Sequence, residues 1–384
     1  MISRNSINGA YPIQCLGDVV EFLDSMRRPV TESERRAGPY PYYGANGQQG
    51  TIDDYIFDEP LVLLAEDGGH FQTPDRGIAY RISGKTWVNN HAHVLRPKAC
   101  IDLAFLCRVL ENYDVTPFVT GTTRGKLTKA GASEIVIPLP PLPEQRRIAE
   151  MLDRAEALRA KRRAALAQLD TLTQAIFLDM FGDPATNPKG FRVALFVDVC
   201  ERIFKGAFDL KASSYVDEGI PFIRIADIQK NTIDLRQAVY ISESTYLQHK
   251  GTELTCGDIV FSKVGTIDRI AVIPKTIPRC IISQNNVGAK LRSNVVHSAY
   301  ALALLTTNYA MGKIRAGSKK AVQDKLVLEE LRKLPFMLPT LDLQHEFARR
   351  VAAVDKLKTA HGASLAELDA LFAALQHRAF RGEL

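Results

Sequence analysis

The chain is written twice, and that duplication narrows the folds open to it more than any other feature. A shift of 199 residues lays Leu139-Pro140-x-Leu142-x-x-Gln145 on Leu338-Pro339-x-Leu341-x-x-Gln344. The register continues without a gap through Ala149 and Ala348, Leu166 and Leu365, Leu169-Asp170 and Leu368-Asp369, Leu172 and Leu371, to Phe181 and Phe380. Upstream, a shift of 180 aligns Tyr11-x-Ile13 with Phe191-x-Val193 and Asp18-Val19-x-Glu21 with Asp198-Val199-x-Glu201. Between these, a shift of 196 aligns Asn89-Asn90 with Asn285-Asn286, Leu95-Arg96 with Leu291-Arg292 and Asn112-Tyr113 with Asn308-Tyr309. Shifts that grow along the chain are what loop insertions into a duplicated unit produce. The order is a variable unit over 1–138, a helical segment over 139–184, a second variable unit over 185–336 and a second helical segment over 337–384.

The helical segments carry the plainest periodicity. Pro143 suits a first helical turn, and Gly182-Asp183-Pro184 is a stop signal. Between them Met151, Ala155, Leu158, Ala165, Leu169, Leu172 and Ile176 fall at heptad spacing, broken once by Arg162. Val354, Leu357, Ser364, Leu368, Leu371 and Leu375 repeat the seam, broken by His361. A single apolar stripe would serve a helix lying on a globular core, whereas two matched seams favour helices that pair with each other. Residues 144–180 would make a rod of roughly 55 Å. Gly362 weakens the second helix by about 1 kcal/mol relative to Ala.

The variable units read as mixed sheet with short helices. Leu61–Leu64, Ile259–Phe261 and Ile270–Ile273 are short apolar runs bounded by turn formers, as buried strands are. Asp102–Tyr113 and Val295–Tyr309 read as amphipathic helices. Polar loops rich in Asn, Gln, Gly and Lys lie between, at 44–49, 120–129 and 317–325. The class is α+β.

Composition excludes several alternatives. A hydrophobic share of 46% with 24% charged residues is that of a globular chain rather than a disordered one. No run reaches the roughly 18 apolar residues of a membrane span, and the first residues carry no apolar stretch of a secretory signal. Six scattered cysteines without a C-x-x-C pair suit reduced thiols, so a cytoplasmic protein is expected. Net charge is +6, but residues 1–138 hold 14 basic and 16 acidic groups whereas 190–335 hold 21 and 14. Any nucleic-acid affinity of the first unit must then come from a local patch.

Catalytic motifs are weak throughout. Ala79-x-x-x-x-Gly84-Lys85-Thr86 imitates a phosphate-binding loop, but strand-like residues follow it where a helix is required, so a hairpin turn at 83–85 is expected. His91-x-His93 could ligate a metal, yet no neighbouring Cys, Asp or Glu cluster completes a site, and the pair reads as polar groups on a strand edge. No metal ligand set and no catalytic residue is assigned. There is no nucleophile elbow or dinucleotide fingerprint, the Asn-Pro-Pro-aromatic signature of adenine methyltransferases is absent, and Pro74-Asp75 lacks the partner that a nuclease would need.

The segment Pro138-Leu139-Pro140-Pro141-Leu142-Pro143-Glu144-Gln145-Arg146-Arg147-Ile148-Ala149, opening a long mid-chain helix, resembles a hallmark of the specificity (S) subunits of type I restriction–modification systems. Tyr42-Tyr43-Gly44-Ala45-Asn46-Gly47, Glu66-Asp67-Gly68 and Asn90-His91 are similar to recurrent phrases of their target-recognition domains. The resemblance covers essentially the whole chain, although the second copy of the proline-rich motif is reduced to Leu338-Pro339-Thr340-Leu341-Asp342-Leu343-Gln344. It implies two target-recognition domains separated by spacer helices that pair as an antiparallel coiled coil. It also implies a non-catalytic, DNA-binding subunit that holds two methyltransferase (M) subunits and is joined by a nuclease/translocase (R) subunit. S-adenosylmethionine, ATP and Mg would serve the partners, with no cofactor on this chain and no membrane involved. Two differing readers on a stiff rod should read a bipartite, asymmetric target in double-stranded DNA.

Asn and Gln suit adenine edges, and Arg or Lys suit guanine edges or phosphates. The candidates in the first unit are Asn46, Gln48, Gln49, Asn89, Asn90, His91, Thr122, Thr123, Arg124 and Lys126. In the second they are Lys205, Arg224, Lys263, Gln284, Asn285, Asn286, Ser318, Lys319 and Lys320. A duplicated protein-interaction scaffold that does not read DNA, or the same fold in a nuclease-free methylation or defence system, would carry the same architecture.

Overall fold

The computed structural model describes residues 9–73, 76–121, 125–208, 210–229, 231–265, 267–318 and 326–384. Packing divides the chain into two compact units, Met1–Ala164 with Ala363–Leu384, and Ala165–Gly362. The units therefore cut across the four segments read from the sequence, because each takes half of each long helix.

In the first unit the strands are β1 (Ile13–Cys15), β2 (Val20–Phe22), β3 (Tyr40–Gly44), β4 (Gly47–Ile52), β5 (Phe57–Asp58), β6 (Leu61–Ala65), β7 (Ala79–Ile82), β8 (Lys85–Val88), β9 (Ala92–Pro97), β10 (Val119–Thr120), β11 (Lys126–Leu127) and β12 (Val136–Pro138). The helices are α1 (Leu16–Val19), α2 (Leu103–Leu110), α3 (Lys129–Ser133) and the start of α4 (Leu142–Phe181). One sheet runs β2-β9-β6-β7, antiparallel throughout; the other runs β4-β3-β8-β5, with β3 and β8 parallel. Every residue of Leu61–Ala65 is buried, as an unbroken apolar run inside a sheet must be.

The second unit repeats this plan. Its strands are β13 (Arg192–Leu195), β14 (Cys200–Lys205), β15 (Tyr215–Val216), β16 (Ile220–Ile223), β17 (Ile228–Gln229), β18 (Thr232–Ile233), β19 (Val239–Ile241), β20 (Glu253–Thr255), β21 (Ile259–Ser262), β22 (Ile270–Val272), β23 (Arg279–Ile282), β24 (Asn286–Leu291) and β25 (Pro335–Leu338). Its helices are α5 (Glu243–His249), α6 (Ser298–Leu305), α7 (Asn308–Ala316), α8 (Leu328–Arg332) and the start of α9 (Leu341–Arg381). The sheet β14-β24-β21-β22 matches the first sheet, and β15-β19-β16-β23-β20 matches the second with β15 added at an edge. No helix among the described residues is long and apolar enough to cross a membrane, and all six cysteines are unpaired.

Three details differ from the sequence reading. Gly84 does take a left-handed turn (φ +68), but β7 pairs with β6 while β8 pairs with β3 and β5, so the turn hands the chain from one sheet to the other instead of closing a hairpin. The segment read as one helix over 295–309 is two, because the Thr307 hydroxyl accepts from Ala310 N at 3.3 Å and caps a new helix. The middle of the repeat also has a different register. Lys98 N donates to Val19 O and Arg292 N donates to Val199 O, so 98 corresponds to 292, a shift of 194 rather than 196.

The proline-rich motif earns its place through one glutamine. Gln145 is fully buried; its Oε1 accepts from Asp102 N at 2.7 Å, and its Nε2 donates to Cys100 O at 3.0 Å and Pro140 O at 2.8 Å. Asp102 is the N-cap of α2, its carboxylate accepting from Ala104 N and Phe105 N. Gln344 repeats the arrangement: Oε1 accepts from His297 N at 2.8 Å, and Nε2 donates to Val295 O at 3.2 Å and Pro339 O at 3.0 Å. His297 is the N-cap of α6. Each long helix is thus pinned at its first turn to the start of the domain helix beside it.

The long helices pair antiparallel within each unit. In the first, Ile148 and Leu152 pack in the core with Phe372, Ala379 and Phe380, and Arg159 Nε reaches Asp369 at 2.6 Å. In the second, the rings of Phe177 and Phe347 meet at 5.9 Å, and Lys358 Nζ lies 3.2 Å from Asp170. A shift of 199 carries one ion pair onto the other, Arg159 to Lys358 and Asp170 to Asp369. The less exposed face of α4 runs through Ile148, Leu152, Ala155, Arg159, Arg162, Leu166, Leu169, Thr173 and Ile176. Of the residues read as the seam, Ala155, Leu169 and Ile176 lie on it and Met151 and Ala165 flank it, while Leu158 and Leu172 are exposed. In α9 the inward face is Val351, Val354, Lys358, His361, Leu365, Leu368, Phe372 and Leu375, so Val354, Leu368 and Leu375 lie on it, whereas Leu357 and Leu371 are exposed. The register follows the ion pairs and the aromatic ends, not the leucines.

That register is directly measurable. Leu152→Ala should cost about 2–5 kcal/mol of stability and Leu158→Ala less than about 0.5 kcal/mol. Denaturant midpoints of the two variants would test it; equal losses would restore the seam read from the sequence.

Candidate nucleic-acid interface

In both units the candidate residues converge on one turn, and the backbone holds that turn the same way twice. In the first unit Asn89 N donates to Tyr43 O at 3.0 Å, Glu66 N to His91 O at 2.9 Å and Leu127 N to Glu66 O at 2.7 Å. In the second Ser283 N donates to Ile223 O at 2.9 Å, Lys263 N to Asn285 O at 2.8 Å and Leu326 N to Lys263 O at 2.9 Å. Position 89 therefore corresponds to 283, 90 to 284, 91 to 285 and 66 to 263.

Around the first turn the structure gathers Asn46, Gln49, Asn89, Asn90, His91 and Lys126. Asn46 Nδ2 donates to Gly68 O at 3.0 Å. Asn89 is buried and fully used, Nδ2 donating to Gln49 Oε1 at 3.1 Å and Oδ1 accepting from His91 N at 2.9 Å. It shapes the turn; Asn90, exposed at its tip, is the residue free to face a ligand. His91 Nδ1 lies 2.6 Å from Asp67 Oδ1. Gln48 and Gln49 are exposed on β4, Gln48 Nε2 donating to Gly50 O at 3.1 Å. Thr122, Thr123 and Arg124 lie outside the described residues.

Beneath this edge sits a charge network with no local sequence signature. His93 is 1% exposed, on a strand paired on both sides by β2 and β6, so it is a core residue and not one on a strand edge. Its Nδ1 lies 2.6 Å from Asp24 Oδ2 and its Nε2 2.8 Å from Leu127 O. Glu66 receives Arg27 Nη1 at 2.6 Å and Lys126 Nζ at 2.9 Å. Acidic groups do flank the histidines, contrary to the sequence reading. Asp24, Glu66 and His93 bring ligand-type atoms together. The carboxylate of Glu66 is already neutralised by two cations and the second nitrogen of His93 by a carbonyl, which is the chemistry of an ion-pair network and not of a metal centre. Burial pushes the Asp24 and Glu66 carboxyls up, but hydrogen bonds from His93 to Asp24, and from Arg27 and Lys126 to Glu66, outweigh it and hold both below the ordinary range.

The second turn carries different groups on the same frame. Gln284 and Asn285 are exposed at its tip, and Lys263 Nζ donates to Gln284 O at 2.9 Å. Exposed Lys205 ends β14, and Gly206 N after it donates to Asn286 O at 3.1 Å. Asn286 itself is wholly buried, its Nδ2 donating to Ile223 O at 2.8 Å. Arg224 stands apart, held by Asp227 at 3.0 Å and Gln237 O at 2.5 Å. Ser318 Oγ donates to Arg315 O at 2.7 Å, and Lys319 and Lys320 lie outside the described residues.

Comparison with known proteins identifies relatives along the whole length. The model of the type I restriction modification DNA specificity domain matches residues 11–168 and again 188–370. A type I restriction enzyme specificity subunit of Haemophilus influenzae is 30% identical over 368 residues, covering 90% of this chain and 86% of that one. Among solved structures, the S subunit of a type I restriction–modification system from M. genitalium superposes with a TM-score of 0.62 at 13% identity, covering 97% of this chain and 96% of that chain. A chain from a structure on complex assembly and conformational transition of the type I system gives 0.57 at 19% identity, covering 98% of each.

The charge network has a pH signature. Depressed carboxyls stabilise the fold above their unfolded values, 3.8 for Asp24 and 4.5 for Glu66, and that contribution is lost as pH falls through the lower folded values. Melting temperatures between pH 7 and 3 should therefore fall more steeply for the native chain than for Asp24→Asn; parallel curves would count against the network.

Proposed function

Because the chain belongs to the type I restriction modification DNA specificity family, we propose that each unit reads one half-site of a bipartite, asymmetric duplex target separated by an unread gap. The observation that carries this is the pair of corresponding turns with unlike side chains. Asn90 and His91 in the first unit correspond to Gln284 and Asn285 in the second, and Lys263 stands where the first unit has buried Glu66. One frame offering different donor and acceptor patterns at matched positions is what two different half-sites require. Lys126, half exposed beside its partner Glu66, supplies a local cation that residues 1–138, net negative, need for a phosphate backbone.

The helices supply the partner surface in this reading. Leu158 and Leu371 are 53% and 51% exposed in the first unit, Leu172 and Leu357 38% and 50% in the second. The ion pairs Arg159–Asp369 and Lys358–Asp170 bring each pair to one level of its helix pair. One two-leucine patch per unit suits two copies of the same partner, the methyltransferase subunits, with nuclease/translocase subunits joining the assembly. The chain itself performs no chemistry in this reading, and S-adenosylmethionine, ATP and Mg belong to the partners in the cytoplasm.

A genome-wide map of N6-methyladenine, with and without the gene and with the partners expressed, tests the reading. Loss of one gapped, asymmetric motif is expected. An unchanged map would favour a protein scaffold, for which the net negative charge of residues 1–138 is the best argument; binding to random duplex that is insensitive to salt would say the same. Leu158→Asp combined with Leu371→Asp should reduce the methyltransferase copies per chain from two to one by native mass spectrometry, and two retained copies would exclude these leucines as the dock.

A further inference from the structure

Phe208 is 64% exposed, the most exposed of the large apolar side chains among the described residues. It follows directly on the backbone that is bonded to the second reading turn. Gly206 N donates to Asn286 O at 3.1 Å, Ala207 N donates to Ile282 O at 2.8 Å, and Ala207 forms a parallel bridge with Ser283. The approach is so close that a Cβ on residue 206 would lie 2.0 Å from Ser283 O, so only glycine fits there. On either side of Phe208 the chain is anchored in the core, because Ala207 is buried and Leu210 packs against the same cluster. A phenyl ring left out in water this close to two anchored neighbours forgoes the burial that an apolar side chain ordinarily gains.

Its surroundings identify what it meets. Lys205 and Lys211, both exposed, flank it in sequence, and the amides of Gln284 and Asn285 project from the turn to which its loop is bonded. Cations and amides favour phosphates and base edges, and an exposed aromatic face among them fits the face of a base. An apolar partner protein would instead call for a contiguous apolar patch, whereas exposed Lys205 and Lys211 flank Phe208 in sequence. We propose that Phe208 is a wedge that stacks on a base beside the edges read by Gln284 and Asn285, opening that step of the half-site. The proposal rests on the DNA-reading function of the second unit and adds to it a contact with a base face, which is sensitive to how easily a step unstacks. Sequence patterns gave no warning of it, since a lone Phe in a loop has no periodicity.

The test uses the chain assembled with its methyltransferase partners and a duplex bearing the mapped motif, with the fluorescent base 2-aminopurine placed at successive positions of the half-site. One position should brighten on binding of the native complex. Phe208→Ala should abolish that signal and weaken target binding about 10–100-fold while leaving the salt slope unchanged, because no charge is removed. Phe208→Trp should restore both, its own emission being quenched on the target. Native preference for the target with undiminished binding and unstacking by Phe208→Ala would overturn the wedge alone. Loss of partner subunits by Phe208→Ala with DNA contacts intact would also overturn it. A native complex with no preference for the target would overturn the DNA reading, and the wedge with it.

Discussion

A buried glutamine decides how the long helices join the sheets. Gln145 and Gln344 each hold three backbone groups at the junction of helix and sheet, the N–H of an N-cap residue and two carbonyls, one of them in a fully buried bond. An unsatisfied buried group costs about 1–3 kcal/mol, so a helix entering at another angle would forfeit several such terms together. No other side chain has the donor and acceptor of an amide at this reach, since Glu would lack the donor and Asn the length. The prolines before it restrict the incoming chain, and Gly182 (φ +77) ends the first helix. With the helix entry fixed, the domain helix, the sheet behind it and the turn at the sheet's far side inherit a common frame.

On that frame, specificity is separated from stability. The backbone bonds at 89 and 283, at 91 and 285 and at 66 and 263 are the same, yet the side chains differ in every case. Even the layer underneath is exchangeable: His93 is hydrogen-bonded to Asp24 in the first unit, where the second has the buried apolar Val287. A sheet whose hydrogen bonds are satisfied by the backbone tolerates either an ion-pair network or apolar packing below its rim, provided each is complete.

The duplication, the long helices and the buried strands were legible because each rests on a pattern confined to a short stretch of chain. The seam was legible to within one residue and no better. Leucine marks an inward position only on average, and here Leu158 and Leu172 point out while Arg159 faces the partner helix, its charge met by Asp369 and its plane 4.4 Å from the Phe372 ring. The middle of the repeat slipped by two residues because Asn-Asn and Leu-Arg pairs recur by chance, whereas hydrogen bonds to Val19 and Val199 do not. The network of Asp24, Arg27, Glu66, His93 and Lys126 was out of reach, its members being spread over a hundred residues with no shared spacing. For the interface residues, the sequence supplied the right turns but not the division of labour between buried Asn89 and Asn286, which build them, and exposed Asn90, Gln284 and Asn285, which they present.

The exchange of helix halves between the units also imposes an order of assembly. The second unit is one continuous stretch, Ala165–Gly362, so everything it needs has been synthesised by the time its last residue emerges. The first unit is discontinuous: Ile148, Leu152 and Phe105 are completed by Phe372, Ala379 and Phe380 from the far end of the chain. Domains usually mature from the N-terminus during translation. Here the unit that begins first must finish last, keeping part of its apolar core open across some two hundred further residues of synthesis, a loop whose closure is entropically slow. A ribosome stalled in that interval would leave the first unit without the helix end that closes its core.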